Sequence, residues 1–117
     1  MLGALGRARL KLGVAVAVLL ALALGLRGRE EHAASVRATR AAITNATRQV
    51  ASFRADHGGK CPAALPDLVA QGYARDVPVD AWGRPLRLTC PGRRDPRGFD
   101  LSSDGPDGVP GGLDRVE

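Results

Sequence analysis

The chain has 117 residues and a net charge of +5, with 15 Gly, 8 Pro and 2 Cys. That length fits one small domain and an appendage, and excludes a large multidomain enzyme. The positive charge does not make a nucleic-acid protein. Residues 1–32 hold five basic and two acidic residues, the remaining basic residues are scattered, and no aromatic residues interleave with them as stacking platforms.

The first element is apolar. Leu12 to Leu26 is an unbroken run of Leu, Val, Ala and Gly, preceded by Arg7, Arg9 and Lys11 and followed by Arg27-Gly28-Arg29-Glu30-Glu31. With Leu10 and the stem of Lys11 it reaches about 17 residues, the short end of a membrane-spanning helix. Two readings fit: a retained anchor, or a cleaved secretory signal with Ala21-Leu22-Ala23 as its small-x-small site. The Ala-rich continuation, with no Pro or polar break, favours the anchor. In both readings the remainder lies outside the cytoplasmic membrane. The expected division is a short basic N-terminus at 1–11, a transmembrane helix at 12–26 and an exported domain at 27–117.

A stalk helix follows, at about 30–55. Between Glu30 and Phe53 there is neither Pro nor Gly. Val36, Ile43 and Val50 recur every seven residues, and Ala46 and Phe53 fill the same face. Asp56-His57-Gly58-Gly59 stops it. One continuous rod from Leu10 to about Ala55 would be roughly 70 Å long. Asn45-Ala46-Thr47 fits a glycosylation sequon by chance within the helix. His32 and His57 lie far apart and receive no catalytic role.

The segment 56–79 reads as a loop containing one short helix, with Leu65, Leu68 and Val69 on its apolar face and Gly72-Tyr73 at its end. From residue 80 the chain becomes strand and turn. Trp82-Gly83-Arg84-Pro85 is a turn, Leu86–Cys90 alternates as a half-buried strand does, and Phe99–Ser102 is its partner. A two- or three-stranded antiparallel sheet would bury Trp82, Leu86, Leu88, Phe99 and Leu101 against Ile43, Val50 and Phe53. The class is α+β. Cys61 and Cys90, an even pair in an exported domain, read as a disulfide. By chain entropy such a loop contributes about 3–4 kcal/mol. Without a CxxC spacing or nearby His ligands, metal and redox readings of the pair fall away.

The last stretch, Asp100 to Asp114, is acidic and Gly-rich, with little apolar material to hold its shape. Carboxylates and free carbonyls in such a loop suit a hard, oxygen-seeking cation, although Asp-Gly and Pro-Asp-Gly are also ordinary turn sequences. It is not an EF-hand, because that spacing and its terminal Glu are missing. No nucleophile–base pair or catalytic metal set is recognisable, so no enzyme and no small-molecule substrate are expected.

Together these parts resemble the type IV pilin-like proteins. Asp80-Ala81-Trp82-Gly83-Arg84-Pro85 resembles the Asp-Pro-Trp-Gly-x-Pro motif of the major pseudopilin of type II secretion. Phe99-Asp100-Leu101-Ser102-Ser103-Asp104-Gly105-Pro106-Asp107-Gly108, with Gly111-Gly112 and Asp114, resembles its terminal signature. The resemblance implies a long N-terminal helix packed on a small antiparallel sheet, with an ion-binding terminal loop. It implies a structural calcium ion held by the side chains of Asp107 and Asp114 and a main-chain carbonyl of Asp104. It also implies a single-pass protein of the bacterial inner membrane, its C-terminal domain in the periplasm. Other pseudopilins or secretion-system components, or further copies of itself, would be its partners. The alternative is an anchored or secreted calcium-stabilised binding domain outside any fibre. The N-terminus departs from the family pattern. The nearest fit to a prepilin-peptidase site is Gly13-Val14, and the fifth residue from Val14 is Val18 where the family has Glu. The cysteine pair also stands outside that pattern.

Overall fold

A computed structural model describes residues 2–112 and 114–117. Met1, the first residue of the expected basic N-terminus, lies outside the described residues. The elements in chain order are helix α1 (Leu2–Asp56), helix α2 (Pro66–Ala70), strand β1 (Arg87–Thr89) and strand β2 (Asp100–Ser102). The chain divides into two compact units, Met1–Ala34 and Ser35–Glu117.

The first unit is helical and apolar. Leu12, Leu19, Leu20, Leu22 and Leu24 are all exposed. A Cβ added at Gly3, Gly6, Gly13 or Gly25 would meet nothing within 4 Å. The helix is long and apolar enough to cross a membrane. Among the described residues its apolar side chains are exposed, which is the condition expected of a segment whose solvent is lipid.

The second unit holds the core. Along α1 the buried positions are Thr39, Ala46, Val50 and Phe53, on one stripe at helical spacing, with Ile43 half-buried beside them. The helix ends where glycine permits a left-handed turn. Gly58 has φ 66°, and the Gly59 N–H donates to the Arg54 carbonyl at 2.7 Å. The short helix α2 ends in the same way. Gly72 has φ 81°, and the N–H of Tyr73 donates to the Leu68 carbonyl at 2.8 Å. Pro66 occupies its first turn, where a missing N–H costs nothing.

β1 and β2 pair antiparallel, with Arg87 opposite Ser102, Leu88 opposite Leu101 and Thr89 opposite Asp100. Two isolated antiparallel bridges lie outside these strands, Val79 with Pro85 and Ser103 with Val116. Leu86 and Leu101 enter the core with Leu65 and Leu68, and Leu88 and Phe99 line its edge. Trp82 differs from expectation. It is half-buried and outside the apolar cluster, because it sits in the turn after Asp80 rather than on a strand face. Leu68, from α2, is completely buried in that cluster. Cys61 and Cys90 are joined by a disulfide, with Cα atoms 6.5 Å apart. The bond ties the loop before α2 to the end of the first strand.

Candidate functional site

The segments that carry the terminal motifs converge on a buried carboxylate. Asp80 is 4% exposed and Ser103 fully buried. Oδ1 of Asp80 accepts the backbone N–H groups of Trp82 at 3.0 Å and Arg84 at 2.9 Å. Its own N–H donates to the Arg84 carbonyl at 2.8 Å. These bonds close the Trp82–Pro85 turn around one side chain, as an Asp at a turn start does. Oδ2 accepts the Ser103 hydroxyl at 2.7 Å, and that hydroxyl accepts the Gly105 N–H at 3.1 Å. The Ser103 backbone exchanges two hydrogen bonds with Val116, at 2.7 and 2.9 Å. One carboxylate therefore joins the turn, the end of β2 and the C-terminal segment, and its buried charge is compensated by three donors.

The turn is also fixed to the stalk. Oγ1 of the fully buried Thr39 accepts the Ala81 N–H at 3.1 Å. At the other end of the stalk, Phe53 stacks on His57 with ring centroids 3.9 Å apart, and His57 Nδ1 donates to the Phe53 carbonyl at 2.7 Å. Tyr73 donates to Asp56 at 2.6 Å, which raises the phenol above its usual range, chiefly through that hydrogen bond. Arg54 reaches the Gly59 and Arg97 carbonyls and lies over the Phe99 ring at 5.5 Å. These contacts give His57 a packing role.

Of the three residues expected to hold calcium, Asp104 and Asp107 have side-chain partners within the chain. Both carboxylate oxygens of Asp104 accept from Arg87 Nε, at 2.7 and 2.9 Å, and the pairing raises the pKa of Arg87. Asp107 Oδ1 accepts the Val109 N–H at 3.0 Å within its own turn. The Asp114 carbonyl lies so close to Gly105 that a Cβ there would stand 2.0 Å from it. The carbonyls of Gly105 and Pro106 receive Arg84 Nη1 at 2.9 and 3.3 Å. Among the described residues no group of three or more His, Cys, Asp or Glu is gathered as a metal set. Calcium takes six to eight oxygens.

An open groove of about 670 Å³ runs beside the strands, lined by Arg87, Arg93, Arg94, Arg115 and Phe99. Of its acids, Asp104 pairs with Arg87 and Glu117 with both Arg94 and Arg115, while Asp100 accepts the Arg93 backbone N–H at 2.7 Å. Gly13 and Val14, the candidate processing site, lie within the exposed apolar part of α1.

The profile of the type II secretion system (T2SS), protein G family matches residues 60–117. Residues 60–117 are thus similar to that family. The match covers α2, both strands, both cysteines and the Asp80–Ser103 network. The chain is 49% identical over 44 residues to the type II secretion system core protein G of Pseudomonas aeruginosa, covering 38% of this chain and 30% of that protein. To the core protein G of Xanthomonas campestris pv. campestris it is 39% identical over 74 residues, covering 55% of this chain and 50% of that protein. It thus spans between about a third and a half of the length of these curated relatives. No solved structure matches it significantly.

Proposed function

We propose that the chain is a pseudopilin-like structural subunit of a type II secretion machine, or of a related pilus-like machine. It supports protein export across the outer membrane by packing helix against helix. The observation that carries this reading is a protein G domain at residues 60–117 on the same chain as an apolar helix with exposed leucines. In this reading residues 12–26 span the bacterial inner membrane once, 1–11 stay in the cytoplasm and 27–117 stand in the periplasm. The partners are other pseudopilins or further copies of the chain. The head positions the stalk, and the apolar helix makes the contacts.

Loss of the gene in its native host is expected to leave secreted proteins trapped in the periplasm, and re-expression to release them. Unchanged secretion in the deletion strain would overturn the reading. Maturation at Gly13-Val14 is checked by mass spectrometry of the membrane-bound protein. A mature chain starting after Ala23 would remove most of the anchor and contradict it.

Val18 stands where the family carries a Glu that neutralises a neighbour's N-terminal amine. That favours a second reading, an anchored binding domain outside any fibre. The second reading predicts that the deletion strain secretes normally.

A further inference from the structure

Four arginines meet beside the sheet, and three separate segments bring them there. Arg87 comes from β1, Arg93 and Arg94 from the loop between the strands, and Arg115 from the C-terminal segment. With Phe99 and Pro110 they line the open groove of about 670 Å³. Backbone bonds fix these segments. The Gly92 N–H donates to the Gly98 carbonyl at 3.0 Å, and the Arg93 N–H to Asp100 Oδ2 at 2.7 Å. A Cβ at Gly92 would stand 2.8 Å from the Asp95 carbonyl oxygen, so glycine lets the loop that carries Arg93 and Arg94 close. Arg115 is held through its neighbour Val116, which is bridged to Ser103. Gathering like charges is unfavourable unless anions answer them. The chain's own anions answer these incompletely. Asp104 takes Arg87, and the single side-chain carboxylate of Glu117 takes both Arg94 and Arg115. Asp100 is used by the Arg93 backbone, and among the described residues the Arg93 guanidinium has no ion pair. The side chains of Arg94 and Arg115 are 72% and 41% exposed, and ion pairs so exposed hold weakly. Glu117 is therefore an exchangeable occupant. It also shows what fits: a carboxylate carried on a peptide segment and laid between two guanidinium forks, a match of planar groups. A groove of this volume takes a short segment of chain rather than a lone small anion.

We propose that this groove binds an extended acidic segment of a partner protein, whose carboxylates displace Glu117 from Arg94 and Arg115 and reach Arg93. The groove lies within Ser35–Glu117, so the claim holds or fails whether or not the chain joins a fibre.

The test is fluorescence anisotropy with the full chain in non-ionic detergent at low salt. The probe is a short fluorescein-labelled peptide that alternates glutamate and alanine. This peptide is expected to bind saturably, and the same peptide with glutamine in place of glutamate to stay free. Arg94→Gln is expected to weaken binding about two- to fivefold, the factor that one exposed charge pair carries. Glu117→Gln is expected to tighten it by a similar factor, because it releases Arg94 and Arg115. Arg75→Gln removes an exposed positive charge outside the groove and is expected to bind as wild type. Equal binding of the two peptides, or none by either, would overturn the proposal. So would a loss in Arg75→Gln as large as that in Arg94→Gln, or a Glu117→Gln chain that binds no tighter. Displacement of the peptide by inorganic phosphate at the peptide's own concentration would assign the groove to small anions and overturn it too. Should Arg94→Gln fail to fold, Arg93→Gln takes its place with the same expected loss.

Discussion

The two units of this chain solve opposite problems. The first unit carries abundant apolar surface, exposed at Leu12, Leu19, Leu20, Leu22 and Leu24 among the described residues. Residues from Ser35 onward have a small apolar cluster: Ala46, Val50, Phe53, Leu65, Leu68, Leu86 and Leu101. A core of that size contributes little against the entropy of ordering the chain. The second unit therefore relies on fixed points: a disulfide, a buried carboxylate with three donors, and arginines laid on loop carbonyls. The first unit needs a surrounding solvent or partner helices, and the second needs specific polar geometry. Truncating apolar groups in the first should leave the head's stability unchanged, while single polar changes in the second should be costly.

The disulfide gives the largest expected effect. Cys61→Ser with Cys90→Ser is expected to lower head stability by about 2–5 kcal/mol, read by denaturant unfolding of the full chain in detergent. A midpoint unchanged by reduction would show that the core suffices without it. Leu68→Ala empties a fully buried position and is expected to cost about 2–4 kcal/mol, whereas Leu20→Ala should leave the head's unfolding midpoint where it was. Equal effects from the two would erase the contrast between the units.

Asp80→Ala removes the acceptor for Trp82, Arg84 and Ser103 together and is expected to cost about 2–3 kcal/mol. Asp80→Asn keeps one oxygen and should cost about half as much. The smallest effect is the pH response of Tyr73. Its folded pKa is raised above the ordinary value of 10.0 by the hydrogen bond to Asp56. The bond's contribution is therefore complete below pH 10 and lost as pH rises through the folded value. A melting point that declines above pH 10 in wild type and less steeply in Tyr73→Phe is the expected outcome.

Much of this architecture was legible because it rests on periodicity and composition. The apolar run and the stripe of Ile43, Val50 and Phe53 need no tertiary information, and Gly58-Gly59 announces the helix end. The pairing of the two strands was legible from their composition, but their register was not. Trp82 misled because a large aromatic residue is usually core, yet here it occupies a turn that Asp80 closes. Leu65 and Leu68 read as the apolar face of a short helix, but nothing local shows that they fill the centre. The Asp80–Ser103 bond spans 23 residues, and Thr39 to Ala81 spans 42. Both Asp80 and Thr39 look like ordinary polar residues until the fold brings their partners in. The one available signal was Asp80 ahead of Trp82-Gly83, the position from which a side chain can close its own turn. The carboxylates of the terminal loop suggested a cation from composition alone, and only the folded chain brings Arg84 onto their neighbouring carbonyls.

The account turns on what covers the exposed leucines of the first unit. Among the described residues the chain has no free cysteine. One introduced at Leu20 would therefore report on its neighbours alone. In oxidised membranes from the native host, Leu20→Cys paired with the same substitution or with a cysteine in another pseudopilin is expected to give a crosslinked dimer. If that cysteine reacts with a small membrane-permeant maleimide yet never captures a second subunit, the helix-packing account is contradicted.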